Sequence, residues 1–313
     1  MGKINSGSSV PQINNKDIEP LLFPVPPTFE QERIVQAIVP LLDAEQKISA
    51  AGVEVTQIIS RAKARILDLA IRGQLVPQNP DDEPASVLLE RIRAEKEELI
   101  KQGKIKRDKK ESIIFRGDDN SYYRQIGALV ESISDWELDD LPDNWALCCL
   151  GELCDYGNCN NVEADSIAGD AWILDLEDIE KDTGKVVQKI RKNERDFTST
   201  KHSFYEGQVL YSKLRPYLNK VIIADEDGFC TSEILPLEFA NVVLPQYALY
   251  YLMSPTFLRY ANQCSYGVKM PRLGTADGRK AIFPLPPIEE QHRIANSISR
   301  YFIQMDNILS ALL

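Results

Sequence analysis

A chain of 313 residues, 43% of them apolar, has room for about two domains, each with its own buried core. Its net charge of −11 excludes a general polyanion binder, because phosphate neutralisation supplies most nonspecific nucleic-acid affinity, so any DNA role must rest on a local patch. No run of about eighteen apolar residues occurs and the opening residues carry no apolar leader; no membrane is expected among the partners, and the cytoplasm is the expected location. Six cysteines (Cys148, Cys149, Cys154, Cys159, Cys230, Cys264) form no C-x-x-C pair, and only two histidines accompany them. They read as reduced thiols packed as small apolar groups, and no metal is expected. Met1-Gly2-Lys3-Ile4-Asn5-Ser6 fits a loose myristoylation pattern and is read as coincidence.

In chain order, the apolar residues at 21–25 predict a short strand, which Pro26-Pro27 ends because proline donates nothing to a ladder. A helix follows. Ile34, Leu41, Ile48 and Val55 recur every seven residues, Ile38 lies between the first two, and Ile59 and Ile66 continue the stripe after an offset. Pro40 is expected to kink this helix, Gly52 to weaken it and Gly73 to cap it. Gln74 to Asp82, with Pro77 and Pro80, is a turn-rich connector, after which Pro84 opens a second helix through Val87, Leu88, Ile92 and Ile100 to a basic tail, Lys101 to Lys110. The stretch from Lys104 to about Asp140 has mixed charge and no steady period and reads as a linker. From Trp145 to Leu285 come short strands at Trp172–Leu176, Val186–Ile190, Gln208–Tyr211, Lys220–Ala224 and Thr231–Leu237, then a helical pattern over Gln246–Asn262 with a turn at Pro255. That texture predicts a compact α+β domain. A last helix carries Ile294, Ile298, Tyr301, Met305, Ile308 and Leu312 at alternating spacings of three and four.

Sliding the chain against itself by 260 positions brings two segments into register without a gap. Leu22-Phe23-Pro24-Val25-Pro26-Pro27 falls on Ile282-Phe283-Pro284-Leu285-Pro286-Pro287, and Glu30-Gln31-Glu32-Arg33-Ile34 falls on Glu290-Gln291-His292-Arg293-Ile294. Gly7, Pro11 and Asp17 likewise fall on Gly267, Pro271 and Asp277. Two copies of strand, Pro-Pro and heptad helix point to helices that pair with each other as an antiparallel coiled-coil spacer through Ile34, Ile38, Leu41, Ile48, Val55, Ile294, Ile298, Tyr301, Met305 and Leu312. An ordinary amphipathic helix lying on a domain is the other reading of either stripe.

The cations Lys185, Lys189, Arg191, Lys192, Arg195, Lys201, Lys213, Arg215 and Lys220 crowd one stretch, whereas the acids lie mainly elsewhere. This is compatible with a DNA face on an acidic body, and equally with a solvated charged surface. The residues then show a family likeness. The two Pro-Pro/Glu-Gln/Arg-Ile blocks, Ala70-Ile71-Arg72-Gly73-Gln74-Leu75-Val76-Pro77-Gln78, Glu83-Pro84-Ala85-Ser86-Val87-Leu88-Leu89, and Leu141-Pro142-Asp143-Asn144-Trp145 leading to Leu150-Gly151-Glu152-Leu153 are its outer marks. Within the domain, Trp172 to Asp178, Gly207 to Lys220 and Cys230-Thr231-Ser232-Glu233 add to it. On these blocks the chain resembles type I restriction-modification specificity subunits, whose plan is a target-recognition domain, a conserved helix, a second recognition domain and a second conserved helix.

The resemblance implies an α+β fold: a mixed small-sheet target-recognition domain plus long conserved helices forming the spacer. The implied divisions are residues 1–27, the tail of a first recognition domain; 28–110, a spacer helix and the helix after it; 111–140, a linker; 141–287, the recognition domain; and 288–313, a shortened second spacer helix. On this plan the chain is either a fragment or a naturally shortened subunit, and a half-subunit would need a second copy or a complementary half. The resemblance further implies a noncatalytic reader of double-stranded DNA that holds no cofactor. Its modification subunits methylate adenine with S-adenosylmethionine, and a restriction subunit translocates and cuts with ATP and magnesium. In agreement, neither Pro-Pro pair sits in an Asn/Asp-Pro-Pro-Tyr/Phe tetrad, and no phosphate-binding G-x-x-x-x-G-K-[ST] loop occurs. For DNA contact Lys213, Arg215 and Lys220 are the first candidates, cations at strand-turn positions suited to phosphates or, for arginine, to guanine. Ser212 and Tyr217 lie on the same strand-turn, Arg195, Ser199, Thr200 and Lys201 form a polar stretch before it, and Tyr266, Lys269 and Arg272 occupy a later loop. Two readings stand beside this one: a docking scaffold for methyltransferase subunits that no longer reads DNA, and a magnesium-dependent nuclease built on Asp175, Glu177 and Lys181.

Overall fold

The computed structural model describes residues 18–104, 112–119, 121–133, 138 and 140–312. The repeat positions Gly7, Pro11 and Asp17, the myristoylation pattern, the basic tail beyond Lys104 and the side chain of Ile48 lie outside the described residues. Contacts divide the chain into two compact units, one reaching Gln57 and the other running from Ile58 to Leu312.

In the first unit the expected strand at 21–25 is not formed. Strand geometry needs a ladder partner, and among the described residues these have none; Leu22 is fully exposed and Phe23 84% exposed. Helix α1, Thr28–Ile71, then continues through Pro40 without ending there. Its start is held by Gln31, whose side-chain amide donates to the Pro26 carbonyl at 2.7 Å.

The second unit opens with the end of α1, where Leu67, Ala70 and Ile71 are buried. Gly73 terminates the helix at φ +69°, with Gln74 N–H donating to the Leu69 carbonyl and Gly73 N–H to that of Ala70, the paired bonds of a left-handed glycine cap. Helix α2 covers Ala85–Lys101. Residues expected to be a linker instead hold an antiparallel meander, β1 (Ser112–Arg116), β2 (Tyr122–Ile126) and β3 (Leu129–Ser132). Only Ser112 and Ile114 of β1 are buried, so the apolar alternation that would announce a strand is too short to show. Ile114 packs with Ile133, Leu138, Leu147, Cys149 and Ile282 in a small core of its own.

Beyond it, β4 (Ala146–Cys149) leads to the one-turn helix α3 (Leu150–Leu153) and β5 (Asn161–Val162). Then follow β6 (Trp172–Leu174), β7 (Ile190–Arg191), β8 (Lys201–Phe204), β9 (Val209–Ser212), β10 (Val221–Ile223), β11 (Gly228–Thr231) and β12 (Ile234–Leu237). Five of these make a sheet in the order β5-β8-β11-β6-β7, parallel only at β11 and β6; three more are ordered β10-β9-β12. The apolar stretch over 246–262 forms two helices, α4 (Pro245–Met253) and α5 (Pro255–Gln263). The break falls at Ser254, whose hydroxyl accepts the Phe257 N–H, with Pro255 in the first helical position. The hairpin β13 (Ser265–Tyr266) and β14 (Arg272–Leu273), helix α6 (Thr275–Lys280), strand β15 (Ile282–Leu285) and helix α7 (Ile288–Leu312) complete the chain.

Strand β15 pairs antiparallel with β4, from Ile282 opposite Cys149 to Leu285 opposite Ala146, and so ties the two ends of the domain together. Because alternate strand residues face opposite ways, Cys148 enters the main core while Cys149 enters the small one under the meander. The main core gathers Leu67, Ala70 and Ile71 of α1, Tyr247 and Tyr251 of α4, Phe283 of β15, and Ile294 and Ile298 of α7. The architecture is α+β. Among the described residues no helix is long and apolar enough to cross a membrane.

Candidate nucleic-acid interface

One edge of the second unit gathers several expected contact residues. The β9–β10 connection is a tight turn between two residues in the left-handed region, Arg215 at φ +50° and Asn219 at φ +48°. Such backbone costs about 1–3 kcal/mol at each non-glycine residue and persists only where neighbours hold it. Here Leu218 N–H donates to the Arg215 carbonyl, Asn219 N–H to that of Pro216, and the Asn219 side-chain amide to that of Met253. The turn is bonded in addition to the β13–β14 hairpin: Arg215 N–H donates to the Pro271 carbonyl at 2.7 Å and Leu273 N–H to the Lys213 carbonyl at 3.0 Å. Arg272 anchors the hairpin by an ion pair to Glu233 at 2.7 Å. The side chains of Lys213, Arg215 and Lys269 make no hydrogen bond or ion pair among the described residues, and Arg215 Nε is buried without an acceptor. Tyr217 and Tyr266 are exposed beside them.

Other expected contacts are occupied inside the domain. Arg195 is paired with Asp175 (3.1 Å), Glu177 (3.5 Å) and the wholly buried Asp178. Lys201, with a side chain only 4% exposed, is paired with Asp175 at 2.8 Å. Lys220 Nζ donates to the Leu176 carbonyl at 2.6 Å, and burial lowers its pKa. The Ser212 hydroxyl is buried and donates to the Leu214 carbonyl. These four were expected at DNA; in the structure each is bonded within the domain, Arg195 and Lys201 to acids at 175–178, and Lys220 and Ser212 to backbone carbonyls. Thr200 is partly engaged with Glu163 at 3.3 Å, while Ser199 is exposed. Burial pushes the Asp178 carboxyl up, but hydrogen bonds from Arg195, the Asp175 N–H and Gln188 outweigh it and leave the group below the ordinary carboxylate range.

The same network bears on the nuclease reading, since Asp175 and Glu177 face cations of the chain itself. Among the described residues no three His, Cys, Asp or Glu side chains stand together in a way that could hold a metal ion. The thiols are packed singly: Cys148 against the Phe283 carbonyl, Cys149 against the Ser112 hydroxyl.

The second repeat block proves to be a clamp, a role that its sequence did not announce. The Glu290 carboxylate is buried and accepts from Trp145 Nε1 at 3.0 Å and Gln78 Nε2 at 2.6 Å. The Gln291 side chain accepts from Leu244 N–H and donates to the carbonyls of Val242 and Pro286, and Arg293 pairs with Asp82. The bond from Gln291 to Pro286 is the one from Gln31 to Pro26 in the first copy, displaced by the repeat. Of the helix-pairing candidates, Ile294 and Ile298 are fully buried in the main core, and Tyr301 and Met305 are half-buried. Leu312, Ile34, Ile38 and Leu41 are exposed, and Val55 is half-buried.

Residues 142–311 match the family model of the type I restriction modification DNA specificity domain. The chain belongs to this family. It is 26% identical over 304 residues to the type I restriction enzyme EcoDI specificity subunit of Escherichia coli, covering 96% of this chain and 60% of that protein. It is 30% identical over 244 residues to the EcoAI specificity subunit of Escherichia coli, covering 75% and 38% respectively. The crystal structure of the HsdS subunit from Thermoanaerobacter tengcongensis aligns with a TM-score of 0.42 at 18% identity, over 98% of this chain and 58% of that one. The chain spans less than two thirds of the length of each of these proteins. Within the specificity domain, the edge with Lys213, Arg215 and Lys269 lies inside the matched residues.

Proposed function

We propose that this chain reads double-stranded DNA as the noncatalytic specificity component of a type I restriction-modification complex, working in the cytoplasm. Reading takes place at the edge formed by the β9–β10 turn and the β13–β14 hairpin. The observation that carries the proposal is the contrast in charge pairing: Lys189, Arg191, Arg195, Lys201, Arg272 and Arg293 are each neutralised by an acid of the chain, whereas Lys213, Arg215 and Lys269 stand without hydrogen-bonding or ionic partners among the described residues. Cations of this kind suit phosphates, and a chain of net charge −11 gains little DNA affinity from the rest of its surface. Tyr217, Tyr266 and Ser199 flank the cations as neutral contacts.

The partners are modification subunits, which bring S-adenosylmethionine and methylate adenine, and a restriction subunit using ATP and magnesium; the specificity chain itself holds no cofactor. The stripe at Ile34, Ile38, Leu41, Ile48 and Val55, and Tyr301, Met305 and Leu312 of the last helix, serve as spacer positions, whereas Ile294 and Ile298 are taken up by the main core. Lys213→Glu combined with Arg215→Glu tests the reading: sequence-selective retention of a duplex is expected to disappear while the circular dichroism spectrum stays that of the folded domain, and equal binding by the double variant would refute it.

A docking scaffold without DNA reading is favoured by one observation, the exposed apolar residues Leu22, Phe23, Val25 and Phe29. Copurification with a modification subunit, in the absence of any sequence-selective shift, would support that alternative.

A further inference from the structure

The connection between β13 and β14 is five residues, Gly267 to Pro271, and its apolar side chains point away from the domain. Val268 is 100% exposed, with Tyr266 and Met270 exposed on either side. The loop is nevertheless held in place. Gly267 takes φ +99°, a conformation that suits glycine, and the Tyr266 ring lies against Gly274, where an added Cβ would come within 3.2 Å of it. Two backbone bonds to the β9–β10 turn and the pair between Arg272 and Glu233 secure the base. Lys269 sits between Val268 and Met270, and the turn bonded to the hairpin carries Lys213 and Arg215. An apolar apex flanked by unpaired cations fits a surface on which apolar groups lie between rows of anions. The major groove of a duplex is such a surface: about 12 Å wide, it admits a two-stranded ribbon, is bordered by phosphates and displays thymine methyl groups among its polar base edges.

We propose that the β13–β14 hairpin enters the major groove, with Val268 against a thymine C5-methyl group and Lys213 and Lys269 on the flanking phosphates. The inference rests on the DNA-reading function above and adds to it the group that is read and the residue that reads it. The test uses the full chain and a pool of randomised duplexes, from which bound sequences are selected with the natural protein, Val268→Ala, Val268→Asp, and Lys213→Glu with Arg215→Glu. Val268 packs against nothing in the domain, so its variants should fold normally. The natural chain should enrich a sequence containing thymine. Val268→Ala should lose preference at one or two adjacent base pairs and weaken binding to the enriched duplex about tenfold, the value of two buried methyl-sized groups; Val268→Asp should lose more. Deoxyuridine in place of the contacted thymine should weaken the natural protein by a similar factor and leave Val268→Ala unchanged. Enrichment and affinity unaffected by both Val268 substitutions, while the charge reversal abolishes binding, would overturn the hairpin contact and leave DNA reading intact. Failure of the natural chain to enrich any sequence would overturn the DNA-reading function itself. Attachment to phosphatidylglycerol vesicles that Val268→Asp abolishes would overturn the contact in favour of a lipid surface.

Discussion

Glu290→Ala separates the two copies of the repeat by their energetics. The carboxylate is buried and accepts from Trp145 Nε1 and Gln78 Nε2, so removing it leaves two donors without an acceptor. Each orphaned donor costs about 1–3 kcal/mol. Part of this is regained, because burial pushes the Glu290 pKa up against the opposing hydrogen bonds, a sign that the carboxylate itself is held at a cost. The net loss should be about 2–3 kcal/mol, or about 8 °C in Tm for a unit of this size. Glu30 occupies the equivalent repeat position, is exposed and has no side-chain partner among the described residues; Glu30→Ala should change stability by less than about 0.5 kcal/mol. Urea unfolding with linear extrapolation, at one protein concentration, measures both. Equal effects of the two substitutions, or a loss below about 0.5 kcal/mol for Glu290→Ala, would refute the clamp.

Asp178→Asn should lower stability at pH 7 by about 3 kcal/mol, because it breaks a buried pair with Arg195. The folded carboxyl titrates below its ordinary value, so its contribution is present above about pH 4 and is lost as the pH falls through the lowered folded value; the variant should therefore show a shallower acid-side decline. Urea midpoints measured from pH 7 to pH 2 check both statements, and an unchanged slope below pH 4 would count against the network. Iodoacetamide at pH 8 should label the native protein first at Cys159 and Cys264, the half-buried thiols. Burial pushes the other four thiols up, Cys149 to about 11, and mass spectrometry should find them modified only after unfolding. Equally fast labelling of Cys149 would contradict its place under the meander.

The α+β class was legible in the sequence because short apolar runs between turn residues have a recognisable texture, and the repeat was legible because it needs only register. What each copy does was less so. Phe283 is buried between β4 and α4 while Phe23 is exposed, and nothing local distinguishes the two; the difference lies in the strand β4, more than a hundred residues before β15, that covers only the second copy. The crowding of cations from Lys185 to Lys220 could be counted from the sequence. Which of them were free could not, since Asp175 and Asp178 reach Arg195 and Lys201 only in the fold. The β1–β3 meander was hidden for the same reason: with a single large apolar residue of β1 buried, its period falls below what a sequence pattern reveals.

The salt dependence of DNA binding tests the proposed edge most directly. For a duplex enriched by the natural chain, the slope of log affinity against log salt should fall by about 2 in magnitude when Lys213→Gln and Lys269→Gln are combined, roughly 0.9 for each phosphate contact removed. A slope indistinguishable from that of the natural protein would contradict the assignment of these two lysines to the phosphate backbone.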